Sequence, residues 1–245
     1  MFRTVASFWT WFVLGALIFF GLPTLAVMLV LTWPFDQGRY YVGRLFRQIA
    51  VLTVTLNPLW RFRWTGTRPA DPRRPYVVVS NHESFADILL LSHLPWEMKW
   101  LSKAEIMRIP FLGWCMHLAG DIPIWRGKME SARDAMGTAL ETLKRRVSVM
   151  IFPEGTRSPS DQMLPFKDGA FRLAIEAGVP VLPLVLTGTR DALAKHDWRM
   201  NPSRATVMVL DPIETAGLTL NDVAALKERV RTVIAQARER LRAEA

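Results

Sequence analysis

Cysteine is nearly absent: Cys115 is the only one in 245 residues, so no intrachain disulfide can form and a reducing compartment is permitted. Histidine is scarce as well. Of the four, His93, His117 and His196 have no second ligating side chain at close spacing, which argues against a metal site and makes these three structural or surface residues. The chain has no G-x-S-x-G turn, the strained elbow that presents a serine nucleophile, so a hydrolase working through an acyl-enzyme is disfavoured. Gly127-Lys128 does not complete a P-loop, because Gly120 is too far upstream and Met129 stands where a magnesium-binding hydroxyl is needed. Zinc-finger spacings, RNA-binding aromatic signatures, internal repeats and low-complexity linkers are also missing.

Charge is missing from one long stretch, Thr4 to Phe35. Its apolar part, Val5 to Trp33, extends about 44 Å as a straight helix at 1.5 Å per residue, enough to cross a bilayer. It is too long for a cleaved signal peptide and no clear small-residue cleavage site follows it. Gly21-Leu22-Pro23 interrupts the run, and either kinks one spanning helix or divides it into a re-entrant hairpin confined to one leaflet. Trp9, Trp11 and Trp33 sit towards its ends, as interfacial aromatics do. From Arg39 to Leu56, Tyr41, Leu45, Ile49 and Leu52 recur at helical spacing with Arg39, Arg44 and Arg47 near the start. That pattern reads as a helix lying in the membrane interface, with an amphipathic core helix as the alternative.

Arg61, Arg63, Arg68, Arg73 and Arg74 follow, and the whole chain has a formal charge of +9 although half of it is hydrophobic. Positive charge combined with a long apolar segment fits an anionic membrane surface rather than nucleic acid, and the positive-inside tendency puts the rest of the chain on the cytoplasmic face. Residues 1–58 are therefore expected to be membrane-associating helices and 59–245 a catalytic domain.

After Pro75, short apolar runs alternate with helical periodicity. Tyr76 to Val79, Met98 to Leu101, Ile122 to Trp125, Val147 to Phe152, Val181 to Leu186 and Ala205 to Leu210 read as strands. Phe85 to Leu94, Glu130 to Arg146 and Phe166 to Ala177 read as helices. The expected fold is α/β, with a mixed, largely parallel sheet flanked by helices. A last helix starts near Asn221, where Thr219 and Asp222 form a capping-box pattern ahead of the stripe Val223, Leu226, Val230, Val233, Ala237 and Leu241.

Two of these strands end in polar turns, the places where open α/β sheets hold their chemistry. In Asn81-His82-Glu83-Ser84-Phe85-Ala86-Asp87, His82 is the candidate general base. Its ordinary pKa of about 6.5 lets a neutral ring accept a proton, and Asp87 can fix the tautomer and stabilise the imidazolium. No nucleophile accompanies the pair, so the substrate is expected to supply the hydroxyl. In Ile151-Phe152-Pro153-Glu154-Gly155-Thr156-Arg157-Ser158, Gly155 allows close backbone approach, and the turn N–H groups around Gly155 and Thr156 can face an anion. Arg157 offers a planar fork for two phosphate oxygens. Glu154 is expected to orient Arg157 or to bind a glycerol hydroxyl.

Together, the two turns resemble the glycerolipid acyltransferase family, and most closely its 1-acyl-sn-glycerol-3-phosphate acyltransferases, over about residues 76–187. Lys103 with Pro110, Phe111 and Gly113 resembles the family's lysine-bearing segment. Ile124-Trp125-Arg126 resembles its apolar-acidic-arginine motif, with Trp125 where the acid often stands. Phe166-Lys167-Asp168-Gly169-Ala170-Phe171 and Val179 to Leu184 match two later motifs. The resemblance implies transfer of a fatty acyl group from acyl-CoA or acyl carrier protein to the 2-hydroxyl of 1-acyl-glycerol 3-phosphate, giving phosphatidic acid, with no cofactor beyond the donor. His82 and Asp87 would be catalytic, Arg126 and Arg157 would clamp the acceptor phosphate with the Glu154-Gly155-Thr156 turn, and Lys103 and Lys167 would bind substrate. Another lysophospholipid, glycerol 3-phosphate or an aminolipid as acceptor, or a non-catalytic basic membrane-binding protein, are the alternatives.

Overall fold

Valine-rich runs too short for helices form a seven-stranded sheet in the computed structural model, which describes residues 1–193 and 197–243; His196 lies outside them. The strands are β1 (Trp60–Gly66), β2 (Val77–Ser80), β3 (Met98–Lys103), β4 (Ile122–Ile124), β5 (Ser148–Ile151), β6 (Val181–Thr187) and β7 (Ser203–Val209). Their order is β1-β7-β6-β2-β5-β3-β4, and every neighbouring pair is parallel except β6 and β7. The expected mixed, largely parallel sheet is what is observed. β2, β5 and β6 are buried along their whole length, as strands covered on both faces must be.

Alternate residues of the central strands serve opposite faces. Val77, Val149 and Val181 pack under α5 (Met129–Lys144), α6 (Gly169–Ala177) and α8 (Val223–Ala243). Val78, Met150 and Leu182 pack under α3 (Ala86–Leu91). The capping box of Thr219 and Asp222 forms as expected, in a 3-10 turn that leads into α8. Because β7 runs antiparallel to β6, and β1 runs parallel to β7, the first residues of β7 and β1 lie at the edge where β2 and β6 end. The short helix α7 (Thr189–Ala192) crosses that same edge.

β1 and α4 (Leu112–Ala119), like α7, are additional to the expected elements. In β1, Phe62 and Trp64 pack towards the α3 face while Arg61 and Arg63 are exposed, so a stretch dense in arginine is an alternating edge strand. α4 packs Cys115 and Met116 against Ile18 and Leu25 of α1 (Phe2–Thr32).

α1 is one helix, 31 residues long, running through Gly21-Leu22-Pro23 without a hairpin break. Proline removes a single intrahelical N–H, and the helix continues past it. Only 17% of the most apolar window of α1 is buried, and Phe12, Phe19, Phe20, Val27 and Val30 face outward. α2 (Tyr40–Thr55) departs from the interfacial expectation. It buries Val42, Phe46, Ile49 and Val54, while Tyr41 and Leu52 remain exposed. Its arginines bind the body: Arg39 donates to the His117 carbonyl at 2.7 Å, and Arg44 donates to the Leu94 carbonyl. Arg47 enters a buried cluster with Asp121 and Glu97, where Lys99 also donates to Glu97 at 3.1 Å and to the Arg39 carbonyl at 2.7 Å. Burial pushes the Glu97 carboxyl up and the Lys99 ammonium down, each opposed by the other's charge. α2 is thus a core helix joining α1 to the sheet.

Candidate active site

The turn after β2 is fastened to the centre of the sheet. Asn81 exchanges two hydrogen bonds with the Leu186 backbone of β6: its side-chain amide donates to the carbonyl at 3.0 Å, and its oxygen accepts the N–H at 2.9 Å. The next residue, His82, projects from this fixed point. Its Nδ1 lies 2.7 Å from Asp87 Oδ2, and the same oxygen accepts the N–H groups of Glu83 and Ser84 at 2.7 and 3.0 Å. Asp87 is completely buried in the first turn of α3. A carboxylate oxygen can only accept here, so Nδ1 carries the proton and the Nε2 lone pair is left to act as base. The ring stacks on Phe152, with centroids 3.9 Å apart and planes 15° from parallel, which fixes its second rotational degree of freedom.

Glu154, expected to orient Arg157 or to bind a glycerol hydroxyl, instead holds two backbone N–H groups and makes no hydrogen bond or ion pair with Arg157 among the described residues. Its Oε1 accepts the backbone N–H of His82 and its Oε2 the N–H of Leu164, both at 2.8 Å. Both carboxylate oxygens are therefore engaged with backbone. Burial pushes the Glu154 carboxyl above the usual range, and the two N–H donors pull the other way. The Ser158 N–H closes the joint by donating to the His82 carbonyl at 2.9 Å. Behind the turn, Glu83 is buried against Arg238 of α8, whose Nε donates at 3.0 Å. Its carboxyl is raised by burial and lowered by Arg238.

On the β5 side of His82, a cavity of about 470 Å³ opens beside Phe152. Leu101, Ile124, Met136, Ile151 and Ala170 give it an apolar floor, and Arg126, Lys128 and Lys167 carry positive charge around it. Gly155 sits in the lining with φ of +72°, a backbone conformation that favours glycine, and it lies against the flexible end of Lys167. Trp125 occupies the position where an acid was expected. Its indole face attracts the Arg108 guanidinium at 4.6 Å and the Lys128 ammonium at 5.5 Å, so an aromatic quadrupole gathers cations where a carboxylate would.

The other positions separate. Lys103 pairs with Glu105 at 3.3 Å and does not line this cavity. Thr156 and Arg157 line a different recess of about 430 Å³ with Glu83 and Arg190. The structure therefore brings Arg126, Gly155 and Lys167 together, and sets Arg157 on the far side of the turn. His93 Nδ1 donates to the Leu89 carbonyl, 2.9 Å away, and burial holds its pKa down; it is a structural residue. Asn81, Phe152, Arg238 and Lys128 belong to the site without having been picked out from the sequence. Asn81 was the one with a visible signal, as a polar residue between a buried strand and the candidate base.

A buried carboxylate–imidazole pair whose Nε2 has no serine or cysteine hydrogen-bonded to it among the described residues, with an adjoining apolar cavity and cationic groups, can activate a hydroxyl on an amphiphilic anion. Comparison with known proteins agrees with that chemistry. The family model described as acyltransferase matches residues 61–187. The chain is 41% identical over 168 residues to the human 1-acyl-sn-glycerol-3-phosphate acyltransferase alpha, covering 68% of this chain and 59% of that protein. It is 44% identical over 200 residues to the chloroplastic 1-acyl-sn-glycerol-3-phosphate acyltransferase LPAT1 of Arabidopsis thaliana, covering 77% and 54%. The chain thus spans less than two thirds of the length of these curated relatives. The crystal structure of the 1-acyl-sn-glycerophosphate acyltransferase of Thermotoga maritima superposes with a TM-score of 0.80 at 26% identity, covering 98% of this chain and 96% of that one.

Proposed function

The chain belongs to the acyltransferase family, and from that premise we propose that it transfers a fatty acyl group from an acyl thioester to the 2-hydroxyl of 1-acyl-glycerol 3-phosphate, giving phosphatidic acid. The observation that carries this reading is the His82–Asp87 pair, 2.7 Å apart, beside an apolar cavity with Arg126, Lys128 and Lys167 in its lining. Nε2 of His82 takes the hydroxyl proton as the oxygen attacks the thioester carbonyl, and the Asp87 carboxylate stabilises the imidazolium that forms. The thiol departs as the C–S bond breaks. With a pKa of about 8.5 it leaves far more readily than an alkoxide, so positioning and base catalysis carry most of the task and no covalent enzyme intermediate is required.

The acceptor is both anionic and greasy, and the cavity has both characters. Arg126 and Lys167 hold the phosphate while the apolar floor takes hydrocarbon, with Gly155 allowing the phosphate to approach the backbone. Glycerol 3-phosphate has no chain to fill that floor, which favours a lysophospholipid over it. Anchoring follows from α1, whose 31 residues reach about 46 Å at 1.5 Å per residue and which exposes its aromatic side chains. The arginines that follow α1 and α2 support a body on the cytoplasmic face.

The test is acyl transfer in membranes carrying wild type or His82→Ala, with acyl-CoA or acyl carrier protein as donor and lysophosphatidate, other lysophospholipids and glycerol 3-phosphate as acceptors. Phosphatidic acid from lysophosphatidate, lost in the variant, is the expected result. Product from another acceptor only would overturn the substrate, and no product from any pair would overturn the enzymatic reading.

A further inference from the structure

The strand carrying His82 has two neighbours, and they lead to different surroundings. β5 leads to the apolar cavity. On the β6 side, beyond Thr187, a polar recess of about 740 Å³ opens at the same edge of the sheet. Arg61 and Arg63 enter it from alternate positions of β1, hence from one face. Arg204 of β7 is the register partner of Arg61, while Arg190 of α7 and Arg242 of α8 also line it. Glu83, the residue next to His82, lines it too.

The charges in this recess are unevenly matched. Glu83 is held by Arg238, and Asp161 pairs with Arg242 at 3.1 Å and Arg190 at 3.4 Å. Asp191, the third acid of the lining, makes no ion pair among the described residues. Arg61, Arg63 and Arg204 likewise make no ion pair among the described residues; Arg63 donates to the Thr206 hydroxyl at 3.1 Å and Arg61 to the Trp60 carbonyl at 2.9 Å. Like charges on facing positions of neighbouring strands weaken their pairing. Here Arg61 faces Arg204, and neither is paired with a carboxylate among the described residues, Asp191 being the one unpaired acid of the lining.

We propose that this recess binds the nucleotide phosphates of coenzyme A, the leaving part of the acyl donor. The proposal rests on the acyl-transfer reading and deepens it by choosing the donor. Coenzyme A carries roughly four negative charges on its phosphates near neutral pH, a match for three uncommitted guanidinium forks. The recess is concave, with the volume of a nucleotide site rather than the flat face that a lipid headgroup layer or an acidic carrier protein would cover, the latter needing about 800 Å² of surface. The acceptor phosphate has its own cations, Arg126 and Lys167, across β2. With the nucleotide beside Glu83, the pantetheine arm runs along the sheet edge towards His82.

The test uses the full chain in phosphatidylcholine nanodiscs, as wild type, as Arg61→Gln/Arg204→Gln, and as Arg63→Gln. Calorimetric titration with coenzyme A and with adenosine 3′,5′-bisphosphate reads binding, and melting temperature checks that each variant is folded. Wild type binds both probes, more weakly as salt rises, and the double variant binds at least about tenfold more weakly. The ratio of kcat/KM for oleoyl-CoA over oleoyl-pantetheine falls by a similar factor. Coenzyme A failing to bind wild type, binding wild type and folded variants equally, or binding independently of salt would each overturn the proposal. So would an equal loss with oleoyl-pantetheine. A loss confined to transfer from acyl carrier protein would assign the recess to that protein, and a loss confined to binding of phosphatidylglycerol vesicles would assign it to lipid; either outcome overturns the nucleotide. The titration involves no lysophosphatidate, so arginine-dependent coenzyme A binding without phosphatidic acid formation would defeat the acceptor reading alone.

Discussion

Replacing Glu154 by glutamine keeps the side chain's shape and removes its charge, at a carboxylate whose two oxygens accept the N–H groups of His82 and Leu164 at 2.8 Å. Glutamine has one acceptor oxygen for two donors, so one buried N–H is left facing an amide NH2. An unsatisfied buried donor costs about 1–3 kcal/mol, and replacing a charged acceptor by a neutral one costs about 1 kcal/mol more. The folded state should lose roughly 2–4 kcal/mol in urea unfolding. The effect on turnover follows from the geometry: the ring of His82 is positioned through its own backbone, and a displacement of about 1 Å at a reacting group costs about a hundredfold.

The expected result in a steady-state transfer assay is therefore a kcat lower by about a hundredfold, with the KM for lysophosphatidate within about threefold of wild type. An unchanged kcat with a tenfold higher KM would refute the reasoning, because it would mean that Glu154 meets the acceptor or orients Arg157. The pH dependence supplies a second check. Burial raises the Glu154 carboxyl in the folded state, so the native protein binds this proton more tightly than the unfolded chain. Stability from this group is present below the ordinary glutamate value of about 4.3 and is lost as pH rises through the raised native value. The stability gap between wild type and Glu154→Gln should narrow as pH rises through that window.

Asp87→Asn removes the negative charge beside the imidazolium that forms on His82; at an effective dielectric of about 20 this is worth about 4 kcal/mol, or about three orders of magnitude in kcat, and a loss below about tenfold in a folded variant would contradict the base assignment. Arg47→Met leaves Asp121 buried without its cation and Glu97 with Lys99 alone, so thermal unfolding should show a loss of about 3–5 kcal/mol, roughly ten degrees in Tm for a chain of this size. An unchanged Tm would mean that the cluster is solvated. Cys115 is fully buried and its thiol is pushed up to about 11 by that burial, so iodoacetamide at pH 8 should spare it in the folded protein and modify it in urea. Rapid labelling of the native state would contradict the packing of α4 on α1.

Residues whose neighbours are close in sequence were the legible ones. His82 and Asp87 are five apart, and a strand-turn-helix junction brings such a pair into contact with little help from the rest of the chain. The sheet was legible for a similar reason, since valine-rich strands separated by helical segments admit few arrangements. The hold of Glu154 on the His82 backbone was not legible because the two are seventy-two residues apart; only the parallel pairing of β2 with β5 makes them neighbours. Arg126 and Arg157 were expected together, yet they lie on opposite sides of the Gly155 turn, and one-dimensional spacing carries no information about side. For α2 the helical spacing with arginines near its start left an interfacial helix and a core helix both open, because His117, Leu94 and Asp121, which supply the partners of those arginines, lie far along the chain. β1 did carry a signal, the alternation of Arg61, Phe62, Arg63 and Trp64, but the density of charge masked the period of two.

The cluster around Arg47 has a consequence for biogenesis. Arg47 precedes Glu97 by fifty residues and Asp121 by seventy-four, so during synthesis α1 and α2 emerge well before the side chains that neutralise this guanidinium exist. Until then Arg47 stays hydrated, and a helix carrying a hydrated charge resists both deep insertion and premature collapse. Docking of the catalytic body onto its anchor is thereby deferred until β3 and the start of β4 have been made. A chain stopped short of Asp121 would hold an anchor with nothing to lock it.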